Sequence, residues 1–306
     1  MFDALTRRTT ASAIAGLVLT MALWAGNHVV GRWSTGQIPP MTFAFFRWAG
    51  AALIILPLAL ASLRADWDVI RSNLPVMCVL GVLGSGSYNT LQYIALNGTT
   101  VTNAAILNSW APVLIAAAGA VIFKDRLRPL QIAGLALSLC GVATIILHGD
   151  PSHLSTLVFN TGDLVMLFAT GVWAAYTTLL RKRPAMSTMA FAGFTYIFAG
   201  LFNAPLAAYE YLNGQYVVWS WGTLGAIAYA AIPASVIGYF LYARGVEIIG
   251  ATRSGALIHL IPMFASLMAV TFLGEHPELY HAVGFGLILS GVALASKKAT
   301  EPATGQ

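Results

Sequence analysis

Of 306 residues, 58% are hydrophobic and only 9% are Asp, Glu, Lys or Arg, and the mean hydropathy is +0.75. A soluble globule carries a charged skin of about 25% of its residues, so this composition excludes a soluble enzyme, a disordered chain and a disulfide-stapled secreted domain, and leaves an integral membrane protein. The net charge of +5 fits short loops against anionic lipid rather than nucleic acid.

Apolar runs of roughly 20 residues, the length that crosses the hydrocarbon core, recur along the whole chain. They cover 12–31, 41–62, 74–96, 101–123, 129–148, 161–181, 188–211, 220–243, 251–273 and 279–296, and predict an all-α protein of ten transmembrane helices. Arg7 and Arg8 precede the first run as in a signal peptide, but the run is too long for one and reads as an uncleaved first helix. Trp24, Asn27 and His28 stand at i, i+3 and i+4 there, on one face. The second run carries Arg47 about six residues deep, roughly 9 Å at helical rise. Gly81, Gly84 and Gly86 precede Tyr88, Asn89 and Gln92 in the third, and Asn108, Ser109 and Trp110 precede Pro112 in the fourth. The sixth holds Trp173, Tyr176 and Thr177, and the seventh holds Pro205 and ends near Glu210. Pro233, Gly238, Tyr239 and Tyr242 lie in the eighth, and Ser254 and His259 precede Pro262 in the ninth. The fifth and tenth are nearly featureless Gly, Ala, Leu and Val. Cys78 and Cys140 each lie inside an apolar run, which argues against a disulfide or a metal site. The runs are longer than barrel strands and do not alternate, which excludes a β-barrel.

Assigned to alternate sides, Arg32, Arg244 and Arg253 fall on one face of the membrane. Arg7, Arg8, Arg64, Arg71, Lys124, Arg126, Arg128, Arg181, Lys182, Arg183, Lys297 and Lys298 fall on the other. The positive-inside rule then puts both termini in the cytoplasm.

The two halves echo each other at a shift of about 150: Pro112 with Pro262, Gly134 with Gly284, Gly141 with Gly291, Thr102 with Thr252 and Leu107 with Leu257. Trp24 matches Trp173 one residue out of that register. Residues 1–150 and 151–306 thus form two five-helix repeats, and an odd helix number inserts the second upside down. Residues 101–112 (Val-Thr-Asn-Ala-Ala-Ile-Leu-Asn-Ser-Trp-Ala-Pro), followed by Phe-Lys-Asp-Arg-Leu, resemble the end of an EamA-type repeat of the drug/metabolite transporter superfamily. Pro262 with Leu-Gly-Glu at 273–275 resembles its second copy, and Leu-Trp-Ala-Gly-Asn at 23–27 with Arg47 resembles its first two spans. Asp125 stands where the family usually carries Glu, a departure that keeps the charge. The Trp- and Tyr-rich interior resembles the aromatic amino acid exporter branch.

Side chains that avoid lipid concentrate on the first, third, fourth, sixth, eighth and ninth runs, which predicts a central cavity with the fifth and tenth helices outside it. The resemblance implies the same layout. The predicted substrate-binding set is Trp24, Asn27, His28, Tyr88, Asn89, Gln92, Asn108, Trp110, Trp173, Tyr176, Tyr239, Ser254 and His259. The competing reading of each is interhelical packing or hydrogen bonding. Gly84, Gly86, Pro112, Pro233, Gly238 and Pro262 serve either as hinges or as close-packing points. Arg47 reads first as a structural charge that snorkels, bonds carbonyls or pairs with Glu210 or Glu247, and second as a receptor for a substrate carboxylate. Tyr211, Trp219 and Trp221 belong to an interfacial belt.

No carboxylate sits mid-span, which leaves His28 and His259 as the candidates for proton coupling. There is no P-loop motif, so ATP does not drive the protein directly. Ser85 and His259 lack the motif of an intramembrane hydrolase, with Leu83 where a rhomboid-like site has Gly, so no enzyme activity is expected. The expected function is export of neutral hydrophobic and aromatic amino acids across the inner membrane by alternating access, with drugs or other amphipathic metabolites as the alternative cargo. The expected partners are the lipid bilayer and the small-molecule substrate, with no nucleic acid, cofactor or metal, in a monomer or homodimer.

Overall fold

The computed structural model describes residues 2–99, 104, 107–147, 149–156, 160–272 and 278–296. Thr102, the stretch 273–275 and Lys297–Lys298, all used above, lie outside the described residues. The described chain is helical and contains no strand. We label its apolar helices α1 (Phe2–Trp33), α2 (Pro40–Ala65), α3 (Leu74–Gly98), α4 (Ala111–Phe123) and α5 (Pro129–Ile146). They continue as α6 (Thr161–Leu179), α7 (Thr188–Leu212), α8 (Trp221–Ile249), α9 (251–272, in three pieces) and α10 (Leu279–Ser296). Six of them, α1, α2, α3, α6, α7 and α8, are long and apolar enough to cross a bilayer, and α4, α5 and α10 are shorter apolar helices. Helices are what such a sequence must form in lipid, because each backbone group then finds its partner within its own segment.

The α8 helix runs six residues past the predicted end at 243 and stops where Gly250 takes φ +88°. Arg244 and Glu247 therefore ride its last turns. Glu247 accepts from Arg183 Nη2 at 3.1 Å and Thr188 Oγ1 at 3.3 Å. Arg183 sits at the basic end of the bundle, so Arg244 and, in the first turn of α9, Arg253 belong there too; their placement on the opposite face is corrected, because the loop after the eighth run, like that after the sixth, follows an even number of spans. The same end carries the Arg181–Asp125 ion pair and the Ser187 amide bonded to Asp66 at 2.9 Å. At the other end Arg32 donates to the Leu96 carbonyl (2.9 Å) and Thr99 bonds Asp163. Among the described residues Arg32 is the only Lys or Arg there, which sharpens the charge asymmetry read from the sequence.

Glu210 does not pair with Arg47. It lies at the α7 terminus and accepts from the free N–H groups that open α2, Met41 N at 3.0 Å and Thr42 N at 2.7 Å, and from the Thr42 hydroxyl at 2.8 Å. Tyr211, Trp219 and Trp221 are exposed at that end, as a belt requires.

The α5 and α10 helices pack on each other through the glycines that made them look featureless. A Cβ on Gly134 would lie 2.5 Å from Ala295 N and 2.6 Å from Gly291 O, and one on Gly141 would lie 2.7 Å from Gly284 O. Small residues let two backbones approach where lipid offers no hydrophobic drive to do so. Their glycine faces are thus occupied within the chain.

Candidate binding chamber

The centre of the bundle is an aromatic cluster. Trp24 meets Trp173, Tyr239 and Tyr242 with ring centroids 5.1, 5.4 and 5.1 Å away, and Trp173 continues to Tyr88 and Tyr176 at 4.9 and 5.2 Å. These edge and tilted contacts are the favoured geometries of quadrupolar rings. Trp24 is oriented by a bond from Nε1 to the Ala234 carbonyl at 3.0 Å. That carbonyl lies in a π-helical stretch, Ile232–Ile237, which contains Pro233. A second π-helical stretch, Gly81–Ser87, interrupts α3. Such bulges commonly mark functional sites in helices. Gly84, inside it, lies under the ring of Tyr176, and a Cβ there would come 2.6 Å from the ring carbons Cδ2 and Cζ. Gly86 and Gly238 are also pressed against neighbours, Phe202 and Trp24. Pro112 lies at the first turn of α4, and Pro262 is buried in α9 just after the 3₁₀ turn Leu257–His259.

A polar network threads these rings. Asn89 donates to Tyr239 OH at 2.5 Å, and Tyr88 OH donates to Asn108 Oδ1 at 3.1 Å. The Gln92 amide reaches the His28 ring at 3.3 Å and Tyr88 OH at 3.4 Å. Arg47, only 1% exposed, donates from Nε to Ser235 Oγ (2.6 Å) and from Nη1 to Tyr93 OH (2.8 Å) and Asn27 Oδ1 (3.1 Å). Its guanidinium carbon lies 5.2 Å from the Trp48 ring and 5.7 Å from the Tyr239 ring. Trp24, Asn27, His28, Arg47, Tyr88, Asn89, Gln92, Tyr239 and Ile261 enclose a cavity of about 20 Å³. That holds about one water molecule, so the chamber is shut.

The predicted set is thus largely brought together. Trp173, Tyr176 and Asn108 stand directly behind the lining residues. Three members lie elsewhere. Trp110 is 44% exposed. Ser254 is buried with an unpartnered Oγ. His259 lies 2.5 Å from Ser138 Oγ through Nδ1 and 2.8 Å from the Ser109 carbonyl through Nε2. A carbonyl only accepts, so the proton belongs on Nε2 and Ser138 donates to Nδ1. Both ring nitrogens are used in tying α9 to α5 and to the chain before α4.

Sequence reasoning missed Trp48, Tyr93, Tyr196, Ser235 and Ser138. Tyr93 lay one turn beyond Asn89, and Ser235 followed Pro233, so a search for polar residues around helix breaks could have found both. Ser138 had no signal beyond being polar in an apolar helix.

The chain carries two matches to one family model, EamA-like transporter family, at residues 11–147 and 160–297. The chain belongs to the EamA-like transporter family, within the drug/metabolite transporter superfamily. Full-length relatives agree. It is 26% identical over 289 residues to the "Uncharacterized transporter YyaM" of Bacillus subtilis, covering 92% of each chain. It is 26% identical over 313 residues to the "Probable terminal-alkyne amino-acid exporter" of Streptantibioticus cattleyicolor, covering 94% of each. It is 24% identical to the "S-adenosylmethionine/S-adenosylhomocysteine transporter" of Chlamydia muridarum, covering 89% of this chain and 88% of that one. This EamA-like protein is therefore a multi-pass membrane transporter of a small molecule.

Proposed function

We propose that this EamA-like transporter exports neutral hydrophobic and aromatic amino acids across the inner membrane by alternating access between two inverted five-helix halves. In this reading all ten helices span the bilayer, the basic end faces the cytoplasm, and both termini lie there. The observation that carries it is the shut chamber: a site at the centre, walled by both halves, lined by aromatic rings and uncharged polar groups around a single cation. Such a lining favours a cargo with an aromatic body and few charges over a polyanion.

Two-fold relations between the halves support the mechanism. Asn89 bonds Tyr239 and Ser109 bonds His259, and both pairs are separated by 150 residues, the repeat length, as contacts on a pseudo-two-fold axis are. The two π-helical stretches occupy matching places in α3 and α8. At the basic end a cavity of about 550 Å³ opens between the ends of α6 and α8, lined by Leu180, Val246 and the Arg183–Glu247 pair. Tyr176 and Tyr242, one turn before Leu180 and Val246 on the same helices, pack on Trp173 with ring centroids 5.2 and 5.1 Å away. They are the proposed inner gate, moved as the halves rock about the π-helical stretches.

A second reading, export of drugs or other amphipathic metabolites, draws on the aromatic majority of the walls, which stack on many ring systems. Purified protein in liposomes, challenged with labelled Phe, Trp, Tyr, Met and Thr with and without a pH gradient, tests the first reading. Amino-acid flux above empty vesicles supports it. Flux of amphipathic drugs with none for any amino acid establishes the second instead.

A further inference from the structure

Arg47 is buried at the centre of the bundle and has no acidic partner among the described residues. Glu210 caps α2, Glu247 pairs with Arg183, and among the described residues the ion pairs are Arg181–Asp125 and Arg183–Glu247. Ser235, Asn27 and Tyr93 occupy the Nε donor and the two Nη1 donors. A guanidinium has five N–H groups, so the two on Nη2 remain without a partner, on a residue that lines the cavity. A charge in this position is costly unless something neutralises it. Beside it, Gln92 is 2% exposed and also lines the cavity, and its Oε1 has no hydrogen-bond partner. The two residues are neighbours through α1: Arg47 bonds Asn27 and Gln92 bonds His28.

We infer that the chamber reads the two ends of an α-amino acid separately: Arg47 Nη2 receives the α-carboxylate, and the Gln92 carbonyl accepts from the α-ammonium, which the faces of Trp24 and Tyr239 also attract. This assigns a specificity to the site and rests on the amino-acid reading above. A carboxylate supplies the counter-charge that no described residue gives Arg47, through a charge-assisted pair of bonds that a fixed fork makes well and a lysine does not. The ammonium faces a neutral acceptor, so the carboxylate is the dominant determinant. Cargo without a carboxylate would leave Arg47 uncompensated and add a second positive charge beside it.

The test is a binding titration of the full-length protein in detergent, read by tryptophan fluorescence, with L-phenylalanine, phenethylamine and 3-phenylpropanoate. The expected order has phenethylamine weaker than phenylalanine by about 30-fold or more, the scale of a lost charge-assisted pair. 3-Phenylpropanoate is weaker by less than about 10-fold. Arg47→Lys weakens both carboxylates, and Gln92→Leu weakens phenylalanine while leaving 3-phenylpropanoate unchanged. Should Arg47→Lys fail to fold, the three ligands on the natural protein decide alone. Phenethylamine binding as well as phenylalanine overturns the assignment and leaves the amino-acid reading standing. Binding of 3-phenylpropanoate with none of phenylalanine overturns the amino-acid reading and the Gln92 assignment and keeps that of Arg47. No binding by any of the three overturns the whole inference.

Discussion

The α5–α10 seam makes the strongest quantitative prediction. A methyl group at Gly134 would sit 2.5 Å from Ala295 N, 2.6 Å from Gly291 O and 3.0 Å from Ala295 Cα, all backbone atoms that no rotamer change can move. Reaching an ordinary 3.4 Å contact requires the helices to part by about 0.9 Å, a gap that forfeits a quarter to a half of the dispersion well of the atoms facing it. We therefore place the cost of Gly134→Ala at about 3 kcal/mol, the upper end of the range for overpacking, because the obstruction is backbone. Gly286, on the same α10 helix, has nothing within 4 Å of its Cβ position, so Gly286→Ala is neutral or stabilises by up to about 1 kcal/mol through helix propensity. Reversible unfolding in mixed micelles by SDS titration compares them. A Gly134→Ala protein within about 0.5 kcal/mol of the natural one, and indistinguishable from Gly286→Ala, would refute the packing argument. Gly134→Ala with Gly291→Ala should cost less than the sum, since both enter one contact.

Other outcomes follow from single contacts. Glu210→Ala removes the acceptor of three bonds at the start of α2 and should cost about 2 to 3 kcal/mol in the same titration; an unchanged midpoint would show that water replaces the cap. Ser138→Ala leaves His259 Nδ1 buried without a donor, for a loss of about 1 to 3 kcal/mol, whereas no loss would mean that the ring turns to another partner. Gly84→Ala drives a methyl into the Tyr176 ring and should abolish flux in liposomes, with Gly84→Ala in a Tyr176→Leu background restoring part of it; failure of that rescue points to the π-helical backbone rather than the ring. Arg183→Gln breaks a pair whose Glu247 partner is half exposed, so stability should stay within about 0.5 kcal/mol. An altered flux with unchanged stability would place the pair in the inner gate.

Much of the chamber was legible before any coordinates. Trp24, Asn27, His28, Tyr88, Asn89, Gln92 and Tyr239 are side chains that lipid would penalise, so their only stable place is inside the bundle, and there they line one cavity. His259 satisfied the same criterion, yet it lies at a junction of α4, α5 and α9 with both nitrogens engaged. Burial is common to a ligand contact and to interhelical glue, and chain position cannot separate them. Arg244 and Arg253 follow the eighth run, and an even number of spans returns the chain to the face of Arg183, so a consistent alternation of the same runs puts them on the basic side without any coordinates.

By itself the sequence determined the helices, their order and the doubling of the pattern, because a bilayer forces each segment to satisfy its own backbone and so makes length and hydropathy local properties. Only the tertiary structure decided which way each helix is rotated about its axis. In α5 and α10 almost every position is apolar or glycine, so no face is marked in the sequence, and the glycine seam becomes visible only when two backbones are seen in contact. The same holds for Arg47: its charge is written in the sequence, but the absence of any carboxylate beside it among the described residues is a fact about distances across the whole bundle.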